Sequence, residues 1–177
     1  MAEKECNRSD GIEVVAIVTP NHLHVPIAKI FAEKGINIIC DKPLALSSEE
    51  AIDLKNIVEN KKIVFALTHN YTGYPMVRHA RSLIKKNELG SLRVIQAEYP
   101  QDWLTTKAED SGLKQAEWRT DPKRSGGGGS IGDIGTHAFN LIRFITGLEV
   151  DELSADIHTF VKGRSLDDNA QIMLRFK

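Results

Sequence analysis

The sequence is short of several features that would have decided its class at once. Of 177 residues only Cys6 and Cys40 are cysteine, too few for a disulfide framework and without metal-ligand spacing. That scarcity fits a reduced, cytoplasmic protein. Neither sign of charge dominates. The 23 basic and 24 acidic side chains leave a formal net charge of −1, so there is no basic footprint for nucleic acid and no polybasic tract for a membrane surface. Apolar runs such as Val14–Val18 are far shorter than the roughly 18 residues of a membrane span. Met1–Asp10 is polar and charged, unlike a signal peptide. No internal repeat is evident. What remains is an ordinary globular composition over one to one-and-a-half domains.

The first half alternates strand and helix patterns. Ile12–Val18 is a continuous apolar run, the signature of a strand covered on both faces of a parallel sheet. Asn21 then reads as a helix N-cap, with Pro26 in the first turns and Leu23, Ile27, Ile30 and Phe31 at helical spacing up to Gly35. A second strand, Ile36–Cys40, stops at Asp41-Lys42-Pro43. Ser47 and Glu50 form a capping box ahead of a helix whose apolar face is Ala51, Leu54, Ile57 and Val58. Ile63–Leu67 is a third strand, and a helix follows over about Pro75–Asn87. Such repeats mean βαβ units. Beyond Gly90 the pattern changes. Leu92–Tyr99 reads as a strand, Gln101–Ser125 is polar and holds both tryptophans, and a glycine run introduces a helix over Thr136–Ile145 that Gly147 closes. Glu152–Val161 and Asn169–Phe176, joined by a charged turn, have no helix between them and predict an antiparallel sheet.

Ligands of open α/β sheets bind outside the carboxyl ends of the strands. All three strand ends are polar here: Thr19-Pro20-Asn21-His22-Leu23-His24, Asp41-Lys42-Pro43 and Thr68-His69-Asn70-Tyr71. Gly127-Gly128-Gly129-Ser130-Ile131-Gly132 spells G-x-G-x-x-G, but Asp121–Ser125 before it cannot be a core strand, so it is not a dinucleotide fingerprint. Gly126–Ser130 also has the composition of an engineered flexible linker. A tight loop allowing close backbone approach is the better account, because the sequence beyond continues unchanged in character. Asp133 and His137, four residues apart, can share a helix face with Asn140 three residues further on. A carboxylate beside a histidine sets up a general base. Equally, Asp133 could cap the helix and His137 be a satisfied, half-buried histidine. The pair lacks a third ligand for a zinc site, so no metal is expected.

Val15–His24, Cys40–Ala45 and Gly129–Asn140, in this order and spacing, resemble the Gfo/Idh/MocA oxidoreductases, which act on sugars, inositols and related polyols with NAD or NADP. His69–Pro75, Tyr99–Leu104 and Trp118–Pro122 look most like the sugar dehydrogenase branch that includes levoglucosan dehydrogenase-like proteins. The resemblance implies part of a Rossmann parallel sheet over residues 1–90, without the glycine fingerprint, and an incomplete α+β substrate and oligomerisation domain with an antiparallel sheet over 91–177. It also implies that the chain is truncated at both ends, that its own dinucleotide binding is weak or absent, and that the intact protein is a homo-dimer or tetramer.

Roles carry over onto matching positions. Lys42 matches the lysine of the family's E-K-P motif, with Asp41 in place of the usual glutamate. Thr19, Pro20, Asn21, His24, Asp41, Lys42, Pro43 and Asn70 are the implied cofactor contacts. Lys42, Asp133 and His137 are the implied catalytic set, with His137 as proton acceptor. Asn140 stands where the family often has aspartate, which leaves the substrate's hydrogen-bonding partner open. Tyr99, Trp103, Trp118 and Arg119 join Lys42, Asp133, His137 and Asn140 as substrate contacts, because aromatic faces suit the C–H face of a pyranose; ordinary packing is the other reading of those four side chains. An NAD-dependent glycosidase or epimerase, or a non-catalytic sensor or inactive fragment, are the alternatives to a dehydrogenase.

Overall fold

Short β-branched runs separated by amphipathic helices build the first part of the protein. A computed structural model of the chain describes residues 2–177. After a short helix α1 (Ala2–Glu5), strand β1 (Val14–Ile17) leads through a 3₁₀ turn (Asn21–Leu23) into α2 (His24–Glu33). β2 (Asn37–Asp41), α3 (Ser48–Lys61) and β3 (Phe65–Thr68) complete a parallel sheet in the order β1-β2-β3. Ile17 pairs with Cys40 and Asp41 with Thr68, so the polar strand ends lie level on one edge. The capping box forms as expected. Ser47 Oγ accepts from the Glu50 amide at 3.2 Å, and Glu50 reaches back to the Leu46 amide at 3.1 Å.

The core of this region is apolar. Ile17, Val25, Ala28, Phe31, Ile38, Cys40 and Leu54 are all buried where α2 and α3 pack on the sheet. Each large side chain so buried contributes about 1.5–3 kcal/mol. The expectation of strands covered on both faces is corrected: Val14, Ile39 and Val64 are exposed, because both covering helices lie on one face. Asn21 is not an N-cap either. It opens the 3₁₀ turn, and its side-chain amide donates to the Ser125 carbonyl at 3.0 Å, a bond across 104 positions that outcompetes a local cap.

The remaining elements are α4 (Pro75–Lys85), a 3₁₀ turn (Ala108–Ser111), α5 (Lys114–Arg119), α6 (Pro122–Ser125), a π-helical turn (Ile131–Gly135), α7 (Thr136–Thr146), β4 (Val150–His158) and β5 (Asn169–Phe176). Gly147, at φ +74, closes α7 in the left-handed conformation as expected. β4 and β5 form the antiparallel sheet. Leu92–Tyr99, expected as a strand, joins no sheet among the described residues. Among the described residues the only antiparallel ladder is β4–β5, and without a ladder partner an apolar stretch does not become a strand.

The chain divides into two compact units, one of residues up to Thr68 with Lys123–Gly127, the other of His69–Pro122 with Gly128–Lys177. Within the second unit α4 packs on α7.

Candidate active site

In the first unit, the edge formed by the strand ends is held by a buried histidine. His24 is 1% exposed; its Nδ1 lies 2.7 Å from the Pro43 carbonyl oxygen and its Nε2 2.8 Å from that of Thr19. Thr68 Oγ1 donates to Asp41 Oδ1 at 2.7 Å, tying β3 to β2 at the same edge. The Lys42–Pro43 bond is cis. The buried Thr19 hydroxyl and His22 Nδ1 find no hydrogen-bond partner among the described residues. Buried polar atoms are normally satisfied, and these two orphans both lie at the strand-end edge. Cys40 beneath is no nucleophile: burial first, then the neighbouring Asp41, pushes its thiol up to about 11.

Asn21 and His24, both expected to touch cofactor, are thus committed to backbone carbonyls. Thr19, Pro20, Asp41, Lys42 and Pro43 lie on the strand-end edge itself. Asn70 belongs to the second unit, exposed at the start of the 3₁₀ turn Asn70–Gly73.

In the second unit the helix carrying His137 begins in an unusual way. The Asp167 carboxylate accepts from the Gly129 amide at 2.6 Å, the Ser130 hydroxyl at 2.6 Å and the Ile131 amide at 2.8 Å. It caps the helix from 36 or more residues away and neutralises the positive end of its dipole. A Cβ at Gly129 would lie 2.1 Å from the Asp167 carbonyl oxygen. Only glycine fits at that position, a close backbone approach that a flexible linker does not require. The π-helical turn that follows is a geometry found often at functional sites.

Asp133 lies inside that turn, so it is not the helix cap. Its Oδ2 accepts from Arg119 Nε at 3.2 Å, both side chains about a quarter exposed. The Arg119 guanidinium lies 4.2 Å from the Trp118 ring and 5.8 Å from that of Trp103, which makes the expected aromatic wall a cation–π stack ending on Asp133. A cavity of about 170 Å³ opens against Trp103, Arg119, Asp133 and Phe160.

His137 is buried on the first turn of α7. The Tyr71 ring meets it edge-on at 4.8 Å, and Tyr99 and His69 stand at 6.2 Å. Tyr71 and Tyr99 share a short hydroxyl–hydroxyl hydrogen bond. Asn140 is half-buried on the next turn. The structure therefore brings together Asp133 with Arg119, Trp103 and Trp118, and His137 with Tyr99. It adds His69 and Tyr71, which sequence reasoning had noted only as a polar strand end and a point of family likeness. No cluster of three side chains able to hold a metal ion occurs among the described residues.

The GFO/IDH/MocA C-terminal domain matches residues 77–177, and the oxidoreductase family NAD-binding Rossmann fold matches residues 3–69. The chain belongs to the GFO/IDH/MocA family. Levoglucosan dehydrogenase of Pseudarthrobacter phenanthrenivorans is 37% identical over 88% of this chain and 38% of its own length. An oxidoreductase structure from Sinorhizobium meliloti is 46% identical with TM-score 0.82, covering 100% of this chain and 44% of that one. An inositol dehydrogenase homologue of Azotobacter vinelandii, complexed with NAD+, superposes at TM-score 0.94 with 32% identity, over 99% of this chain and 46% of that one. The chain spans about half the length of the curated relatives it matches. No described helix is long and apolar enough to cross a membrane.

Proposed function

We propose that this chain carries catalytic residues of an NAD(P)-dependent oxidoreductase that interconverts a sugar or polyol CH–OH group and the corresponding carbonyl. The observation that supports it most is His137, buried on the first turn of a helix, ringed by tyrosines and one turn beyond the Asp133–Arg119 pair, in a chain of this family. A carbinol is too weak an acid to ionise at neutral pH, so its proton needs a positioned acceptor, worth about 10²- to 10⁴-fold in rate. His137 accepts that proton during oxidation and returns it during reduction. Asp133, anchored by Arg119, orients the reacting hydroxyl. Lys42, the lysine that the resemblance implies for the catalytic set, is a cation suited to stabilising negative charge on a reacting oxygen.

The strand-end edge fits a dinucleotide: the orphaned Thr19 hydroxyl faces no protein partner, while Asn21 and His24 brace the loop around it. Thr19, Pro20 and Asp41–Pro43 would hold the cofactor there. When bound, the nicotinamide supplies the hydride acceptor or donor. Trp103, Trp118 and Arg119 form the wall against which a pyranose C–H face rests. A homo-oligomer in the cytoplasm completes this reading; Cys6 and Cys40 are both free thiols.

The test is turnover of NAD+ and NADP+ against a sugar and polyol panel, using the protein with any native flanking sequence. Lys42→Ala and His137→Ala should each lower kcat/KM by at least about 10²-fold. Wild-type turnover in both variants would sink the assignment. Product formed without accumulation of reduced cofactor would point to transient oxidation and hence to a glycosidase or epimerase.

A further inference from the structure

Tyr71 and Tyr99 come from distant parts of the sequence, the turn after β3 and the segment before the polar stretch, yet meet hydroxyl to hydroxyl beside His137. Each phenol has one proton to give and lone pairs to accept with. Their mutual bond consumes one proton and one lone pair. Neither has another hydrogen-bond partner among the described residues, and both side chains are half-buried. The pair therefore keeps one donor and spare acceptor capacity at the edge of the histidine. Tyr71 is held in its protonated form well past neutrality. The bond to Tyr99 first, then burial, pushes it up to about 12.

A group that both gives and receives a hydrogen bond, beside a base that takes a carbinol proton, is complementary to a second hydroxyl next to the first. A lone alcohol leaves the tyrosine pair unmatched. A carboxylate or phosphate uses only its donor. We infer that the Tyr71–Tyr99 pair is a specificity element that selects substrates bearing a hydroxyl vicinal to the oxidised carbinol. This rests on the dehydrogenase reading of His137, and it assigns Tyr71 a role in the site. The tyrosines do no proton transfer from the reacting oxygen; they set which neighbour that oxygen must have.

Two measurements decide it. In the first, the protein with any native flanking sequence is assayed on polyols and on deoxy analogues lacking the hydroxyl beside the oxidised carbon. Wild type should prefer the diol roughly 10- to 100-fold in kcat/KM, the cost of leaving a half-buried polar pair unmatched. Removing both hydroxyls, in Tyr71→Phe/Tyr99→Phe, should collapse that ratio toward one. Unchanged discrimination in that double variant overturns the proposal. In the second, ¹³C-labelled tyrosine resolves all three tyrosines of the chain. Trans-1,2-cyclohexanediol should shift Tyr71 and Tyr99 where cyclohexanol does not. Equal responses to the two alcohols overturn the proposal. Absence of any dehydrogenase activity would remove the functional reading, and the resonance measurement would still decide whether the pair recognises a diol.

Discussion

The two compact units hold themselves together by opposite means. The first buries a contiguous apolar core of nine residues, from Ile17 to Leu54, between one sheet face and two helices. The second has few buried hydrophobic side chains, Ala116 and Leu166 among them, and is pinned instead by two charged staples. Arg164, with its side chain 3% exposed, donates to both Glu109 oxygens and to the Leu104 and Thr106 carbonyls, with Asp168 at 3.7 Å. Asp167 caps the glycine loop, and Asp168 takes the amides of Phe160 and Val161. Apolar packing tolerates approximate geometry and rewards volume. Charge-assisted hydrogen bonds demand direction, and so they can position a short loop that has no core beneath it. The difference teaches where each unit is vulnerable.

The largest effect is expected from Arg164→Met, which keeps volume but leaves the part-buried Glu109 carboxylate and the Leu104 and Thr106 carbonyls without their donor. It should cost about 3–5 kcal/mol. Denaturant unfolding followed by tryptophan emission reads it directly, since Trp103 and Trp118 both lie in the second unit. A near-neutral result would mean that this unit is held by packing after all. Leu54→Ala, at a site 2% exposed, should cost about 2–5 kcal/mol, seen as faster amide exchange in β1–β3. The tryptophan signal should barely respond.

Acid separates the units next. The bond from Arg164 holds Glu109 below its ordinary carboxylate range. The unfolded chain then binds this proton more readily, so the stabilisation is present above the ordinary glutamate value and is lost as pH falls through the folded value. The tryptophan-monitored midpoint should drop as pH falls below the ordinary glutamate range, and Glu109→Gln should flatten part of that slope. An identical slope in the variant would show that Glu109 is not the group responsible. The smallest effect is Ser47→Ala, which removes one side-chain cap of α3 and should lower first-unit stability by about 1 kcal/mol, measurable by thermal melting of the far-ultraviolet signal.

The same contrast explains what could be read in advance. In the first unit the signals are local. Alternation of apolar runs and helical faces, a capping box four residues long and polar strand ends are all visible within a few positions of one another. There the errors concerned what lay far away, such as the Ser125 carbonyl that claims Asn21 and the one-sided cover of the sheet. In the second unit the local pattern misled at Leu92–Tyr99, where an apolar stretch had no ladder partner. The Asp133–His137 spacing was visible, but the partner of Asp133 is Arg119, and π-helical winding is not written in any short motif. Tyr71 stood only in a polar strand end and a stretch of family likeness, because its meaning comes from Tyr99, 28 positions away.

The sequence by itself determined the family, the parallel βαβ order and the carboxylate–histidine motif, because these depend on periodicity and on short, fixed spacing. Tertiary structure alone decided which groups those residues meet. Arg119 holds Asp133, two joined phenols flank His137, and distant aspartates and Arg164 fix the loops that carry them. Hydrogen bonds between groups tens of residues apart depend on where the backbone travels, and no local pattern encodes that path.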